Sequence, residues 1–425
     1  MSRTIRVAAV QLDAHDRRDF ERVLAPLLER IDRTAAEHDL VVVGEGTVPA
    51  YVLGYEAVDE RLLARVHDAL AEIARTRKSV IVTGTALRRD GELYNSALVF
   101  DSDGSLAGSA EKIFLWHFDR QWFSGGRAIR PISTSIGTLG VLICADGRMP
   151  QIARALVDRG AEILVMPTAW VTSGRDPHHL ENIQADLLAR VRAFENGVPF
   201  VAANKCGTER GMVAYCGKSQ IVDAAGDVLA LASPDAAETI GATVTLEPAA
   251  PHRSPVPSPR THEAAAPPLR IAFSCDPLPA DIGERLRVLE AQFALSACAS
   301  DDFDRFAAAF GAVRIDATTA FDPEYLLAYR RAGYRAAVID ARASHPWLER
   351  VARARAAELR MYAIVFDAQA GRAYAVDPDG TVIAGTFGAL RIASCAIDPA
   401  RTAQTLVAPG TDVAEGIETV HALLR

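Results

Sequence analysis

The sequence predicts an α/β fold in which sheets with some antiparallel pairing are covered by helices. Three observations carry that reading. Apolar strand-like runs alternate with amphipathic helical stretches. The run Leu40-Val-Val-Val-Gly44 is apolar throughout, as in a strand buried on both faces. Asp-Ser-Asp-Gly-Ser, between strand-like arms at 94–100 and 106–112, is a hairpin signal.

Residues 5–12 read as a strand, 19–38 as an amphipathic helix, and 40–44 as the buried strand, which ends at Glu45. A helix over 60–76 and a strand over 79–84 follow, then the hairpin. The strand at 137–144 precedes a helix over 150–159, around which Met149, Ile152, Ala153, Leu156 and Val157 fall on one face. Next come a strand at 163–166 and a helix over 180–195 with Ile183, Leu187, Leu188, Val191 and Phe194 as its apolar stripe. A strand at 200–203 and a second hairpin over 218–231 complete a first domain, 1–247.

Residues 248–268 hold seven prolines and almost nothing that could build a core, the composition of an extended linker. Beyond it, in a second domain over 269–425, the chain repeats itself in degenerate form. Leu269-Arg-Ile-Ala-Phe-Ser echoes Ile5-Arg-Val-Ala-Ala-Val, and Ala332-Gly-Tyr-Arg-Ala-Ala-Val-Ile matches Arg159-Gly-Ala-Glu-Ile-Leu-Val-Met. Counting back 16 residues from Gly160 reaches Cys144, whereas the same count from Gly333 reaches Ala317. The second copy lacks the cysteine and is shorter, the missing part falling where Glu45 and Lys112 sit in the first. A structural or regulatory role is expected for it.

At 425 residues the chain is long for one core and suits two domains. Its 49% apolar and 24% charged content is that of a globular protein. A net charge of -8 without basic runs argues against nucleic acid as a partner. With no secretory leader and no run of 18 apolar residues, neither a membrane nor export is expected, and the predicted location is cytoplasmic. The six cysteines (144, 206, 216, 275, 298 and 395) show no C-x-x-C spacing. The adjacent pair His178 and His179 lies in a polar loop without a ligand pattern, so no metal or other cofactor is predicted.

Chemistry is therefore sought in the first domain, at Cys144. A thiol attacks as thiolate, and a free cysteine with a pKa of about 8.5 is only slightly ionised at neutral pH. Three aids would make it a nucleophile: a helix N-terminus, a carboxylate to take its proton, and a cation facing the oxyanion. The helix near Pro150 offers the first, Glu45 at a strand end the second, and Lys112 at the end of a hairpin arm the third. Each also has a plain structural reading, as core thiol, cap or solvent-facing lysine, and composition alone leaves open a serine, or no residue, in the catalytic role.

With their surroundings, Glu45, Lys112 and Cys144 resemble the Glu, Lys, Cys triad of the nitrilase superfamily, the carbon-nitrogen hydrolases. The matching pieces include Val-Val-Val-Gly-Glu45-Gly, Glu-Lys112-Ile-Phe-Leu followed by Phe123-Ser-Gly-Gly126, and Gly140-Val-Leu-Ile-Cys144-Ala-Asp-Gly-Arg-Met-Pro150. Gly160-Ala-Glu-Ile-Leu-Val-Met-Pro-Thr-Ala-Trp170, the run 192–205 and Tyr215-Cys-Gly-Lys-Ser-Gln-Ile also fit, so that the resemblance spans residues 4–248. It implies a four-layer αββα sandwich, assembly into a homodimer or higher homo-oligomer, and no cofactor. It further implies that Glu45 takes the Cys144 proton, that the thiolate attacks an amide, carbamoyl or nitrile carbon, and that Lys112 with a backbone amide near Ala145 holds the oxyanion.

A second family glutamate is replaced here by Asp119, seven residues before Gly126, expected either to position Lys112 or water or to form a plain loop salt bridge. Ala145-Asp146, where nitrilases proper carry Trp-Glu, resembles the amidase and carbamoylase branches. Arg148 matches an arginine that binds a substrate carboxylate in N-carbamoyl-D-amino acid hydrolases, a task that suits a guanidinium fork. Its plain alternative is a pair with Glu162 or Asp146. Trp116, His117 and Trp170, with Phe114 and Trp122, are candidate pocket-wall residues.

Overall fold

The computed structural model describes residues 2–54, 57–172, 181–263, 266–278, 281–297, 302–386 and 390–425. His178, His179, Leu180 and Cys298 lie outside them. The chain divides into two compact units. The first holds residues 1–251, 408–411 and 415–425; the second holds 252–407 and 412–414. This differs from the expected division at 269–425, because most of the chain's last stretch groups with the first unit. The described residues of the proline-rich stretch have no regular structure, but from His252 onward it groups with the second unit, where Ser254 N donates to the Asp322 carboxylate and His262 N to Ala332 O.

The first unit packs two six-stranded sheets face to face. One runs Thr239–Leu246, Arg3–Val10, Leu40–Val43, Val80–Arg89, Glu92–Phe100, Leu106–Glu111; the other runs Val228–Leu231, Gln220–Val222, Phe200–Ala203, Ile163–Pro167, Gly137–Val141, Ile132–Thr134. Helices Phe20–Ala35 and Glu60–Arg77 cover the first sheet, and Pro150–Asp158 and Ala189–Asn196 the second, giving the layer order helix, sheet, sheet, helix. The outer helices form because their apolar residues recur at helical spacing: Phe20, Leu24, Leu27 and Ile31 on one, Leu63, Val66 and Leu70 on the other, all buried against Val41, Val43 and Ile81. Asp59 caps the second helix by accepting from Arg61 N and Leu62 N.

Two expected elements differ in detail. The strand at 137–144 stops at Val141, and Cys144 opens a one-turn 3-10 helix, Cys144–Arg148, ahead of Pro150–Asp158. The helix over 180–195 begins, within the described residues, as a π turn, Gln184–Leu188, and continues as Ala189–Asn196. A hairpin at Lys205–Glu209 and Val213–Cys216 was not foreseen, since its first arm, Lys-Cys-Gly-Thr-Glu, is polar and broken by a glycine and its second is only four residues long.

In the second unit a three-stranded sheet runs Phe293–Ser296, Leu269–Ser274, Ala393–Ile397, and a five-stranded one runs Ala312–Asp316, Ala336–Ala341, Tyr362–Asp367, Arg372–Val376, Val382–Gly385. Both reproduce, in order and in parallel or antiparallel sense, parts of the first unit's sheets. The likeness extends to side chains. Buried Arg192 pairs with Glu195 at 2.6 Å and donates to Gly147 O at 3.0 Å; buried Arg355 pairs with Glu358 at 2.8 Å and donates to Ala320 O at 3.1 Å. Ala317 opens the short helix Ala317–Phe321 as Cys144 opens its own. Among the described residues no counterpart exists for the strands Val80–Arg89, Glu92–Phe100 and Leu106–Glu111. The strand that leads to Glu45 does have one, Phe293–Ser296, so the missing part begins later than the sequence suggested.

Close strand approach places Glu45. A Cβ at Gly84 would lie 2.5 Å from both Glu45 Cα and Gly44 O. Gly84→Ala is expected to destabilise the protein by about 1–3 kcal/mol through overpacking and to lower its activity. The denaturation midpoint measures this, and an unchanged midpoint would show that the strands have room.

Candidate active site

Three charged side chains with no exposed surface meet where the first sheet ends. Lys112 follows the strand Leu106–Glu111 and is held by its own backbone, with Lys112 N donating to Asn95 O at 2.8 Å and Gly126 N to Lys112 O at 2.8 Å. Its Nζ lies 2.7 Å from Glu45 Oε1 and 2.6 Å from Asp119 Oδ2. Burial works against the ammonium, but the Asp119 and Glu45 carboxylates hold its pKa well above the usual lysine value. Asn95 Nδ2 donates to Glu45 Oε1 at 2.7 Å, and Trp116 N to Asp119 Oδ2 at 3.0 Å. Glu45 Oε2 and Asp119 Oδ1 are buried without a hydrogen-bond partner. Such atoms are costly in a folded protein, and a catalytic role is one of the reasons for which they are kept.

Cys144 is 4% exposed and adopts a left-handed backbone, φ +47. Burial, then the negative charge of Glu45, push its thiol up to about 12, against the opposing pull of Lys112, the Thr168 hydroxyl and the Ala169 amide. The helix expected to lower this pKa, Pro150–Asp158, begins only after the turn Cys144–Arg148, and the thiol stays raised. At rest the group is a thiol and needs a base.

Asp146 ties the two halves of the site together. Its Oδ1 accepts from Ile113 N at 3.0 Å and Phe114 N at 2.8 Å, while its Oδ2 accepts from Ile143 N at 3.1 Å. The carboxylate therefore fastens the residues after Lys112 to the residue before Cys144. Burial pushes it up to about 7, against the pull of these amides and of Lys112. Ala145, between Cys144 and Asp146, is fully buried.

The other expected residues divide. Arg148 is half-buried and stacks its guanidinium 4.9 Å from the centre of the Trp116 ring. Glu162, one alternative partner for it, pairs instead with Arg3 at 2.6 Å. His117, at φ +46, sets its ring edge-on to Phe118 and lines a cavity of about 600 Å3 with Val52, Phe118, Trp122 and Val213. That cavity does not include Cys144 in its lining. Trp170 is 1% exposed and follows Thr168 and Ala169, with its N donating to Asn204 Oδ1.

Sequence reasoning missed Tyr51, Asn95, Thr168 and Glu209. The Tyr51 ring centre lies 5.7 Å from Lys112 Nζ, and its buried hydroxyl has no partner. Burial first, then the charges of Asp119, Glu45 and Cys144, raise its pKa well above the usual tyrosine value. Glu209 takes Val52 N at 2.6 Å and the Tyr215 hydroxyl at 2.7 Å, and lies 3.5 Å from Lys205 Nζ, which itself donates to Gly46 O. This brace fixes the loop that follows Glu45. Asn95 carries a readable signal, an amide that with Ser96 interrupts the apolar residues of its strand; Tyr51 and Glu209 carry none. Among the described residues no group of three His, Cys, Asp or Glu side chains is placed to hold a metal ion, and no helix is long and apolar enough to cross a membrane.

Residues 6–253 match the family described as carbon-nitrogen hydrolase. A probable nitrilase of Schizosaccharomyces pombe is 35% identical over 161 residues, 38% of this chain and 56% of that protein, so the match spans little more than half of that relative. An (R)-stereoselective amidase of a Pseudomonas species is 31% identical over 237 residues, 54% of this chain and 82% of that protein. The crystal structure of a carbon-nitrogen hydrolase from Helicobacter pylori G27 superimposes with a TM-score of 0.50 at 27% identity, covering 57% of this chain and 89% of that one.

The buried thiol makes a spectroscopic prediction. The thiolate absorbance near 240 nm, taken as the difference between the protein and Cys144→Ala, should show no midpoint below about pH 10, whereas an ordinary cysteine titrates near 8.5. A midpoint near the ordinary value would contradict the arrangement.

Proposed function

We propose that this chain, which belongs to the carbon-nitrogen hydrolase family, hydrolyses a non-peptide C–N bond in a small linear amide or N-carbamoyl compound and releases ammonia through a thioester on Cys144. The observation that carries the reading is the buried Lys112 ammonium between Glu45 and Asp119, with Glu45 Oε2 left open to accept a proton.

In the first half-reaction Glu45 Oε2 takes the proton from Cys144 Sγ as the sulfur adds to the carbonyl carbon. Lys112 Nζ and the amide of Ala145, in the first turn of its helix where backbone N–H groups lack carbonyl partners, receive the oxyanion. The tetrahedral adduct collapses, its C–N bond breaks, and the nitrogen leaves as ammonia with the proton from Glu45. In the second half a water gives a proton to Glu45 and adds to the thioester. The C–S bond breaks, the proton returns to sulfur, and a carboxylic acid leaves. Asp119 keeps Lys112 charged and oriented throughout.

An amide is favoured over a nitrile by Ala145-Asp146 in place of Trp-Glu, and by the Pseudomonas relative's description as an amidase. Arg148, held over Trp116, supports a substrate with a carboxylate beyond the scissile bond. The shared strand order and the repeated arginine-glutamate pair support reading the second unit as a degenerate copy without a nucleophile.

Mass spectrometry of the protein mixed with small amides and ureido acids should find an acyl group on Cys144, and Cys144→Ala should release no ammonia. Unchanged ammonia release from that variant would overturn the mechanism. Lys112→Met should lower kcat by at least about 100-fold, the scale of losing one oxyanion donor. Arg148→Gln should raise KM about 10-fold or more for carboxylate-bearing amides, as befits a charged hydrogen bond, and leave matched neutral amides unaffected. Equal effects on both would remove Arg148 from the substrate site.

A further inference from the structure

The far end of the chain packs behind the Lys112 loop. Residues 408–411 and 415–425 belong to the first unit, and they touch three residues of the segment that carries Lys112 and Asp119 and one residue just after the Cys144 turn. Thr411, fully buried, accepts through Oγ1 from His117 N at 2.6 Å. Glu415 takes both terminal nitrogens of Arg120, at 3.0 and 3.3 Å. Gly416, in the helix Val413–Leu424, lies so close to Phe114 that a Cβ would sit 2.5 and 2.7 Å from two ring carbons and 3.3 Å from Met149 Cε.

These points are not scattered. Phe114 is two residues beyond Lys112, His117 two before Asp119, Arg120 directly after Asp119, and Met149 directly after Arg148. The Arg120–Glu415 pair is solvent-exposed on both sides and contributes little. The weight falls on the buried contacts, with Thr411, Phe114, Met149, Ile417 and Val420 all in the interior. Phe114 also donates its N–H to Asp146, so a push on its ring is felt at the carboxylate joining the Lys112 segment to the Cys144 turn.

We infer that residues 408–411 and 415–425 form a positioning element for the reaction centre, with Thr411 and Gly416 setting the placement of the 113–120 loop and hence of Asp119 against Lys112. The inference rests on the reading that Lys112 stabilises the oxyanion. It also means that the first unit is completed only by residues that follow the second unit in sequence, so the active fold needs the full chain.

The test uses the full-length protein and a small amide that it hydrolyses. Thr411→Val keeps the shape but removes the acceptor, and Thr411→Ser restores it. The valine variant should lose at least tenfold in kcat with KM changed less than threefold, and the serine variant should recover wild-type kcat. Gly416→Leu, which drives a side chain into Phe114, should lower kcat further. Should Thr411→Val fail to fold, Gly416→Ala gives a milder displacement of the same ring and should lower kcat in the same direction. Variants that melt earlier yet keep wild-type kcat well below their melting temperature would overturn the inference, leaving the tail a stabilising element only. Ammonia release by Cys144→Ala would overturn instead the mechanism beneath it, so the two failures are distinguishable.

Discussion

The structure depends on keeping an ammonium and two carboxylates in a place that water does not reach. Taking ions out of water costs several kcal/mol each, and mutual attraction offsets this only where geometry and additional hydrogen bonds are good. Lys112, Glu45 and Asp119 meet that condition through contacts of 2.6 and 2.7 Å and the amides of Asn95 and Trp116. The cluster nevertheless keeps one excess negative charge and two oxygens without partners. The negative charge of Glu45 helps to keep Cys144 a thiol at rest. In the proposed mechanism Glu45 accepts that thiol's proton as a substrate brings a developing oxyanion to Lys112.

Much of the surrounding architecture serves to hold these groups still. Gly84 lets two strands come together at Glu45, Asp146 ties the Lys112 segment to the Cys144 turn, and Lys205 with Glu209 braces the loop from Gly46 to Val52. The last two links are buried polar groups satisfied by backbone, which fixes position more tightly than apolar packing does. Preorganised donors of this kind lower a barrier because they need no rearrangement during the reaction.

Glu45, Lys112 and Cys144 were marked in the sequence by their places at the ends of a strand, a hairpin arm and a strand, but only the resemblance to the nitrilase superfamily joined them and added Asp119; the structure brings Glu45 and Asp119 into direct contact with Lys112. Helices such as Phe20–Ala35 were legible from their apolar spacing, with ends shifted by a few residues. Tyr51 and Glu209 were not, because their roles arise from contacts between residues far apart in sequence, in loops and a polar hairpin without periodicity. The end of the strand before Cys144 was misjudged for a related reason. Pro150 announces a helix start, whereas a single 3-10 turn leaves no pattern of its own. The repeat was read from Gly160 and Gly333; the strand order adds that the second unit has a strand placed like the one before Glu45 and, among the described residues, none placed like the hairpin that precedes Lys112.

The central claim is that Glu45, rather than solvent, takes the proton from a thiol that ionises only near pH 12. The most direct measurement is the single-turnover rate of Cys144 acylation as a function of pH, in the protein and in Glu45→Gln. The account predicts a nearly flat profile between about pH 7 and 9 for the protein, and for the variant a much slower rate that rises about tenfold per pH unit, as for a thiol that must ionise unaided. A Glu45→Gln variant that acylates at the wild-type rate with a flat profile would contradict it.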